Sequence, residues 1–107
     1  MSRFYRMMLE IEDFDPEKKE AIIKAAEHEW ISFQGCWDEG QNFLTADGEG
    51  NLSWQSDSEF AEELAGAIFQ ANGKPCKVTV RATYLDDLPF EEYSFDEDSK
   101  LIYGTLI

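Results

Sequence analysis

The chain has 107 residues, 43% hydrophobic and 14% aromatic, and its 23 acidic against 9 basic residues leave a formal net charge of −14. That length suits one domain spanning 1–107 with a single core, and the apolar share excludes a disordered chain despite the charge. A field of this sign repels nucleic-acid backbones and anionic lipid, so the expected partner is a basic protein surface, with no direct nucleic acid and no membrane.

The first element is a strand over residues 3–12. Tyr5, Met7, Leu9 and Ile11 alternate on one face, with Phe4, Arg6, Met8, Glu10 and Glu12 on the other. The stretch is too short and too acidic for a signal sequence, which points to a cytoplasmic protein. Asp15-Pro16-Glu17 then starts a helix: Asp15 caps, Pro16 fits the first helical position and Glu17 complements the dipole. The helix should reach about Trp30, with Ile22, Ala25, Ala26 and Trp30 on its buried stripe.

Residues 31–40 are less legible. Gly35 and Gly40 bracket Cys36-Trp37-Asp38-Glu39, which reads as a loop or an irregular strand. Residues 41–46 and 51–54 flank Asp47-Gly48-Glu49-Gly50, and two short strands around such a turn-rich run predict a hairpin.

The second helix carries the clearest signals. Ser56-Asp57-Ser58-Glu59 is a capping box, and Phe60, Leu64, Ala67, Ile68 and Ala71 form one apolar stripe. Asn72-Gly73-Lys74-Pro75 closes it with a glycine cap and a proline beyond. A strand follows, with Cys76, Val78, Val80, Ala82 and Tyr84 on one face and Lys77, Thr79, Arg81 and Thr83 on the other. Asp86-Asp87-Leu88-Pro89 breaks the chain. Alternation around Tyr93 and Phe95, and again around Leu101 and Tyr103, predicts one or two further short strands. The order strand, helix, hairpin, helix, strand predicts an α+β fold of the ferredoxin-like type. That is a split β-α-β-β-α-β antiparallel sheet with two helices on one face, plus a C-terminal strand extension.

Catalytic and metal-binding patterns are sparse. His28 is the single histidine and lies between Glu27 and Glu29 late in the first helix, where a surface role is expected. No nucleophile elbow, phosphate loop, dinucleotide fingerprint or zinc-type cluster is present, so neither catalytic residues nor a cofactor or metal site is assigned. Asp47, Glu49 and Asn51 alternate as in a calcium loop. The sixth position, however, is Leu52 where glycine makes the bend, and the twelfth is Ser58 where glutamate is needed. Cys36 and Cys76 read as two small buried thiols.

Charge distribution carries the functional expectation. No Lys or Arg lies between Lys24 and Lys74, or between Arg81 and Lys100, while carboxylates crowd both windows. Glu59, Glu62 and Glu63 on the second helix, and Asp86, Asp87, Phe90, Glu91, Glu92 and Tyr93 in the tail, are the expected partner-binding residues. The aromatics would anchor, and the acids would steer a basic partner and could imitate phosphate spacing on a nucleic-acid-binding protein. Self-association through an open sheet face or edge strand is the alternative, and a carboxylate-dependent enzyme a third.

The run from Ala71-Asn72-Gly73 through Arg81-Ala82-Thr83-Tyr84-Leu85 to Leu88-Pro89-Phe90 and Phe95-Asp96-Glu97-Asp98 resembles small acidic proteins encoded by bacteriophages and integrated mobile elements. The resemblance implies a host-takeover context, in which such proteins include inhibitors of restriction and CRISPR systems, some of them DNA mimics.

Overall fold

A computed structural model describes residues 3–52, 55–84 and 91–97. In chain order the elements are β1 (Arg3–Glu12), α1 (Lys19–Glu29), β2 (Asp38–Glu39), β3 (Phe43–Leu52), α2 (Asp57–Asn72), β4 (Lys77–Tyr84) and β5 (Glu91–Phe95), with 3-10 turns at Pro16–Lys18 and Ile31–Phe33. The strands form one antiparallel sheet in the order β2-β3-β1-β4-β5. The result is an α+β molecule with five strands and two helices, compatible with the expected ferredoxin-like plan. It departs from the four-strand β-α-β-β-α-β pattern in count and arrangement, since β2 is only two residues long and β5 adds a strand outside β4.

Period-2 alternation decides which face of the sheet is buried. Tyr5, Met7, Leu9 and Ile11 of β1 register against Tyr84, Ala82, Val80 and Val78 of β4. All but Tyr84, which packs half-buried at the margin, belong to the buried core. Both helices cover this face. Ile22 and Ala26 of α1 join Phe60, Ala61, Leu64, Ala65, Ile68 and Phe69 of α2 beneath the strands. The buried front of α2 is wider than a single stripe, because Ala61, Ala65 and Phe69 are also enclosed. The opposite sheet face has no element on it among the described residues, and Phe4 and Met8 are exposed there.

Helix ends follow their sequence signals. Asp15 caps the first turn by accepting from the Glu17 amide at 3.0 Å. In α2 the Ser56 hydroxyl accepts from the Glu59 amide at 3.1 Å, while the Glu59 carboxylate accepts from the Ser56 amide at 3.0 Å. Gly73 ends α2 in the left-handed region, at φ +83°. The buried Asn72 side chain ties the two helices together, accepting from the Asp15 amide at 2.8 Å and donating to the Lys74 carbonyl at 2.9 Å.

The hairpin expected over residues 41–54 is not formed. Asp47-Gly48-Glu49-Gly50 is the middle of β3, which pairs with β1 along its whole length from Phe43↔Glu12 to Leu52↔Arg3. The two glycines are there for close approach rather than for turning. The 31–33 turn lies against β3. The Trp30 indole donates to the Gly48 carbonyl at 3.1 Å, and the Ser32 hydroxyl donates to the Glu49 carbonyl at 2.6 Å. A Cβ on Gly48 would stand 2.8 Å from the Ser32 carbonyl carbon, and one on Gly50 would stand 3.1 Å from the Trp30 ring. Ser32 and Trp30 therefore fill the space that side chains at positions 48 and 50 would otherwise occupy. Gly48→Ala should lower stability by about 2 kcal/mol through overpacking against backbone, read as a lower urea midpoint. A loss under about 0.5 kcal/mol, the scale of an innocuous surface change, would contradict this packing.

Candidate functional site

The sheet has one polar face, opposite the core, and three of the strand cations belong to it by alternation. Arg6, Lys77 and Arg81 all project there, and each finds an acid. Arg6 Nη2 lies 3.3 Å from Asp47 Oδ2, and Lys77 Nζ lies 3.7 Å from Glu12 Oε1. Arg81 bridges three strands, with Nη1 3.1 Å from Glu10 Oε2 on β1 and Nε 2.8 Å from Glu92 Oε2 on β5. These hydrogen bonds, led by the one Arg81 donates to Glu92, hold the guanidinium still more firmly protonated. Off the sheet, Lys19 Nζ lies 3.8 Å from Glu39 Oε1. Each pair is solvent-accessible and contributes modestly to stability. Together Arg6, Lys77 and Arg81 engage Asp47, Glu12, Glu10 and Glu92, whereas Glu49 and Asp38, which register places on the same face, have no ion-pair partner among the described residues.

The flank formed by α2 and β5 has no such balance. Register fixes which way each β5 side chain points. Glu91, Tyr93 and Phe95 pair with Ala82, Val80 and Val78 and so face the helices, whereas Glu92 and Ser94 pair with Arg81 and Thr79 and face outward. The Tyr93 phenol lies near the carboxylate of Asp57, the first residue of α2, so the acidic start of that helix stands beside β5. Glu62 and Glu63 are exposed on the solvent side of α2, and Glu91 is exposed at the start of β5. Among the described residues no Lys or Arg stands within ion-pair distance of Glu59, Glu62, Glu63 or Glu91.

The expected partner-binding residues are thus divided. Glu62, Glu63 and Glu91 are exposed without an ion-pair partner among the described residues. Glu59 also faces solvent but uses one carboxylate oxygen in the capping box. Glu92 is on the open face, engaged by Arg81. Tyr93 is half-buried against the core, so it supports the surface rather than projecting from it. Asp86, Asp87 and Phe90 lie outside the described residues, as does the strand expected around Leu101 and Tyr103. Sequence reasoning missed Asp57, which lies beside Tyr93 where α2 meets β5. A tyrosine at the centre of a short strand and an acid at a helix N-terminus are each ordinary, and only the fold joins them.

Other chemistry is thinly represented. Cys36 is exposed and Cys76 buried, so the expectation of two buried thiols fails for Cys36. The turn before β2 leaves Cys36 at the surface, where its thiol reaches the Ser32 carbonyl at 3.5 Å. Burial, with Asp13 nearby, pushes the Cys76 thiol up to about 11. His28 is exposed beside Glu29. A cleft of about 410 Å3 is lined by Trp30, Ile31, Leu52, Gln55 and Phe60 together with His28. A second recess, of about 460 Å3, is lined by Asp13, Lys74, Cys76, Lys77, Asp96 and Glu97, and its three carboxylates are all exposed. Among the described residues no three His, Cys, Asp or Glu side chains come together as metal ligands, and no helix is long and apolar enough to cross a membrane. Compared with protein families, curated proteins and solved structures, the chain finds no match.

The Tyr93–Asp57 link has a pH signature. Burial first, and then the Asp57 carboxylate, push the Tyr93 phenol up to about 12. The unfolded chain releases that proton near pH 10, so between about 10 and 12 the unfolded state binds fewer protons than the folded one. Stability must fall as pH rises through that window. Tyr93→Phe should flatten the decline of the urea midpoint above pH 10, leaving the part that begins lower and belongs to Cys76. Equal slopes for the two proteins would place Tyr93 in contact with water instead.

Proposed function

We propose that the protein is a non-enzymatic interaction module on a ferredoxin-like frame, whose α2–β5 flank binds a basic partner surface. A nucleic-acid-binding protein is the favoured partner, since carboxylates on a rigid helix can occupy positions that phosphates would take. The observation that carries this reading is the partition of charge. Of the Lys and Arg side chains in ion pairs, all but Lys19 stand on the open sheet face, and Glu62, Glu63 and Glu91 have no base beside them among the described residues. A carboxylate left solvated can exchange water for a partner's guanidinium without first breaking an internal pair. Such a surface steers a cationic partner at long range and is weakened by salt. The resemblance to small acidic phage proteins accords with an inhibitor of this kind acting inside the host cell.

Self-association is the competing reading and draws on Phe4, Met8 and Phe43, which are exposed on the open face. Those side chains stand among ion pairs, and two copies would bring together surfaces that each belong to a chain of net charge −14.

The test separates a located surface from net charge alone. Binding of an octalysine peptide is measured by calorimetry for the wild type, for Glu62→Lys/Glu63→Lys/Glu91→Lys, and for Glu20→Lys/Asp38→Lys/Glu49→Lys. The two variants have the same net charge. The first should lose about tenfold or more in affinity relative to the second, and wild-type affinity should fall steeply between 50 and 200 mM salt, as expected for several screened contacts. Equal losses in the two variants would reduce the effect to overall charge and overturn the proposal.

A further inference from the structure

The segment between the 31–33 turn and β3 is held unlike the rest of the frame. Its strand pairing is β2, two residues opposite Leu44 and Thr45. Within 34–42 every residue except Trp37 is exposed. Trp37 is half-buried, with its ring centroid 5.9 Å from that of the fully buried Phe33. Its indole donates to Glu27 Oε2 on α1 at 2.9 Å. A second tie comes from Lys19, whose Nζ donates to the Gly40 carbonyl at 3.1 Å and lies 3.8 Å from Glu39 Oε1. Glycines stand at both turns. Gly35 leaves the 31–33 turn at φ +75°, where glycine is unstrained, and Gly40 closes the turn into β3 by donating to the Phe43 carbonyl at 2.7 Å.

We infer that residues 34–42 form a hinged strap that lifts as one unit from a frame that stays folded, with Trp37 as its latch. Little holds it. One short pairing, one half-buried ring and charge-assisted bonds at two points must offset the entropy of ordering the whole segment. The frame beneath is of another kind. Strand β3 pairs with β1 along its whole length, and Phe33 and Leu44 are fully buried. A region with few buried apolar contacts opens at lower free energy than the core it lies on. Both ties run to α1, one to its first residue, Lys19, and one to Glu27 in its last turn, so the strap is held along the length of that helix. Lifting it uncovers Phe33 and frees the edge of β3 at Leu44 and Thr45, which makes that edge a gated one. The strap lies at the side of the sheet opposite β5 and acts independently of the α2–β5 flank.

Two indole protons give the test, because both are hydrogen-bonded and only one is on the strap. Trp37 donates to Glu27, and Trp30 donates to the Gly48 carbonyl of the frame. Hydrogen exchange of the full-length protein is followed by NMR in water and in low urea. The Trp37 indole should exchange about tenfold or more faster than that of Trp30, at a rate that low urea leaves unchanged, as a local opening requires. Two variants then ask whether the strap moves as a unit. Glu27→Ala should speed exchange at the Gly40 amide about fivefold, and Lys19→Met should do the same at the Trp37 indole, with Trp30 unaffected by either. Each variant is thereby read at the tie it does not touch. Parallel urea dependence of the two indoles would show that the strap leaves only with global unfolding, and would overturn the proposal. Acceleration confined to the altered tie would overturn it as well, by making the ties independent. A Trp37 indole no better protected than free indole would show that nothing latches the strap, with the same consequence.

Discussion

A sheet with one buried face constrains everything else in this molecule. Once Tyr5, Met7, Leu9 and Ile11 are turned toward the helices with Val78, Val80 and Ala82, the residues that alternate with them on β1 and β4 must stand on the opposite side. Three of the chain's few cations, Arg6, Lys77 and Arg81, are among those residues. They are thus confined to the open face, where cross-strand acids are within reach. Helix α2 has no Lys or Arg within its sixteen residues, and β5 has none within its five. The negative flank follows from where the core is, because alternation has already placed Arg6, Lys77 and Arg81 elsewhere.

Much of this frame was legible in the sequence. Strands β1 and β4 alternate strictly, and α2 announces itself with a capping box and a glycine cap, so propensity, pattern and capping agreed. The middle of the chain was misread because Asp-Gly and Gly-Asn dipeptides are strong turn signals. The correct clue was period. Leu44, Ala46, Gly48, Gly50 and Leu52 are spaced by two, and glycine at an inward position of a strand marks a neighbour that needs the room. That neighbour, Trp30 with the turn after it, is supplied from a helix end far away in the chain, so local pattern could not name it.

The candidate site was legible in composition but not in arrangement. The long windows without Lys or Arg located the excess charge on α2 and the tail, yet they treated its acids alike. Structure separates them by what each carboxylate already does: Glu59 caps a helix, Glu92 holds Arg81, Asp57 lies beside Tyr93, and Glu62, Glu63 and Glu91 remain solvated. Cross-strand and capping partners depend on register, which a single sequence specifies only through its pattern of burial.

The local electrostatic potential is the quantity on which this account stands. It can be mapped amide by amide from the NMR relaxation that a cationic and an anionic nitroxide induce in the uniformly labelled protein. The account requires the most negative potential at amides 57–63 and 91–95, and a clearly weaker one at those of β1 and β4 over the ion-paired face. A potential of the same depth on both sides of the sheet would contradict it.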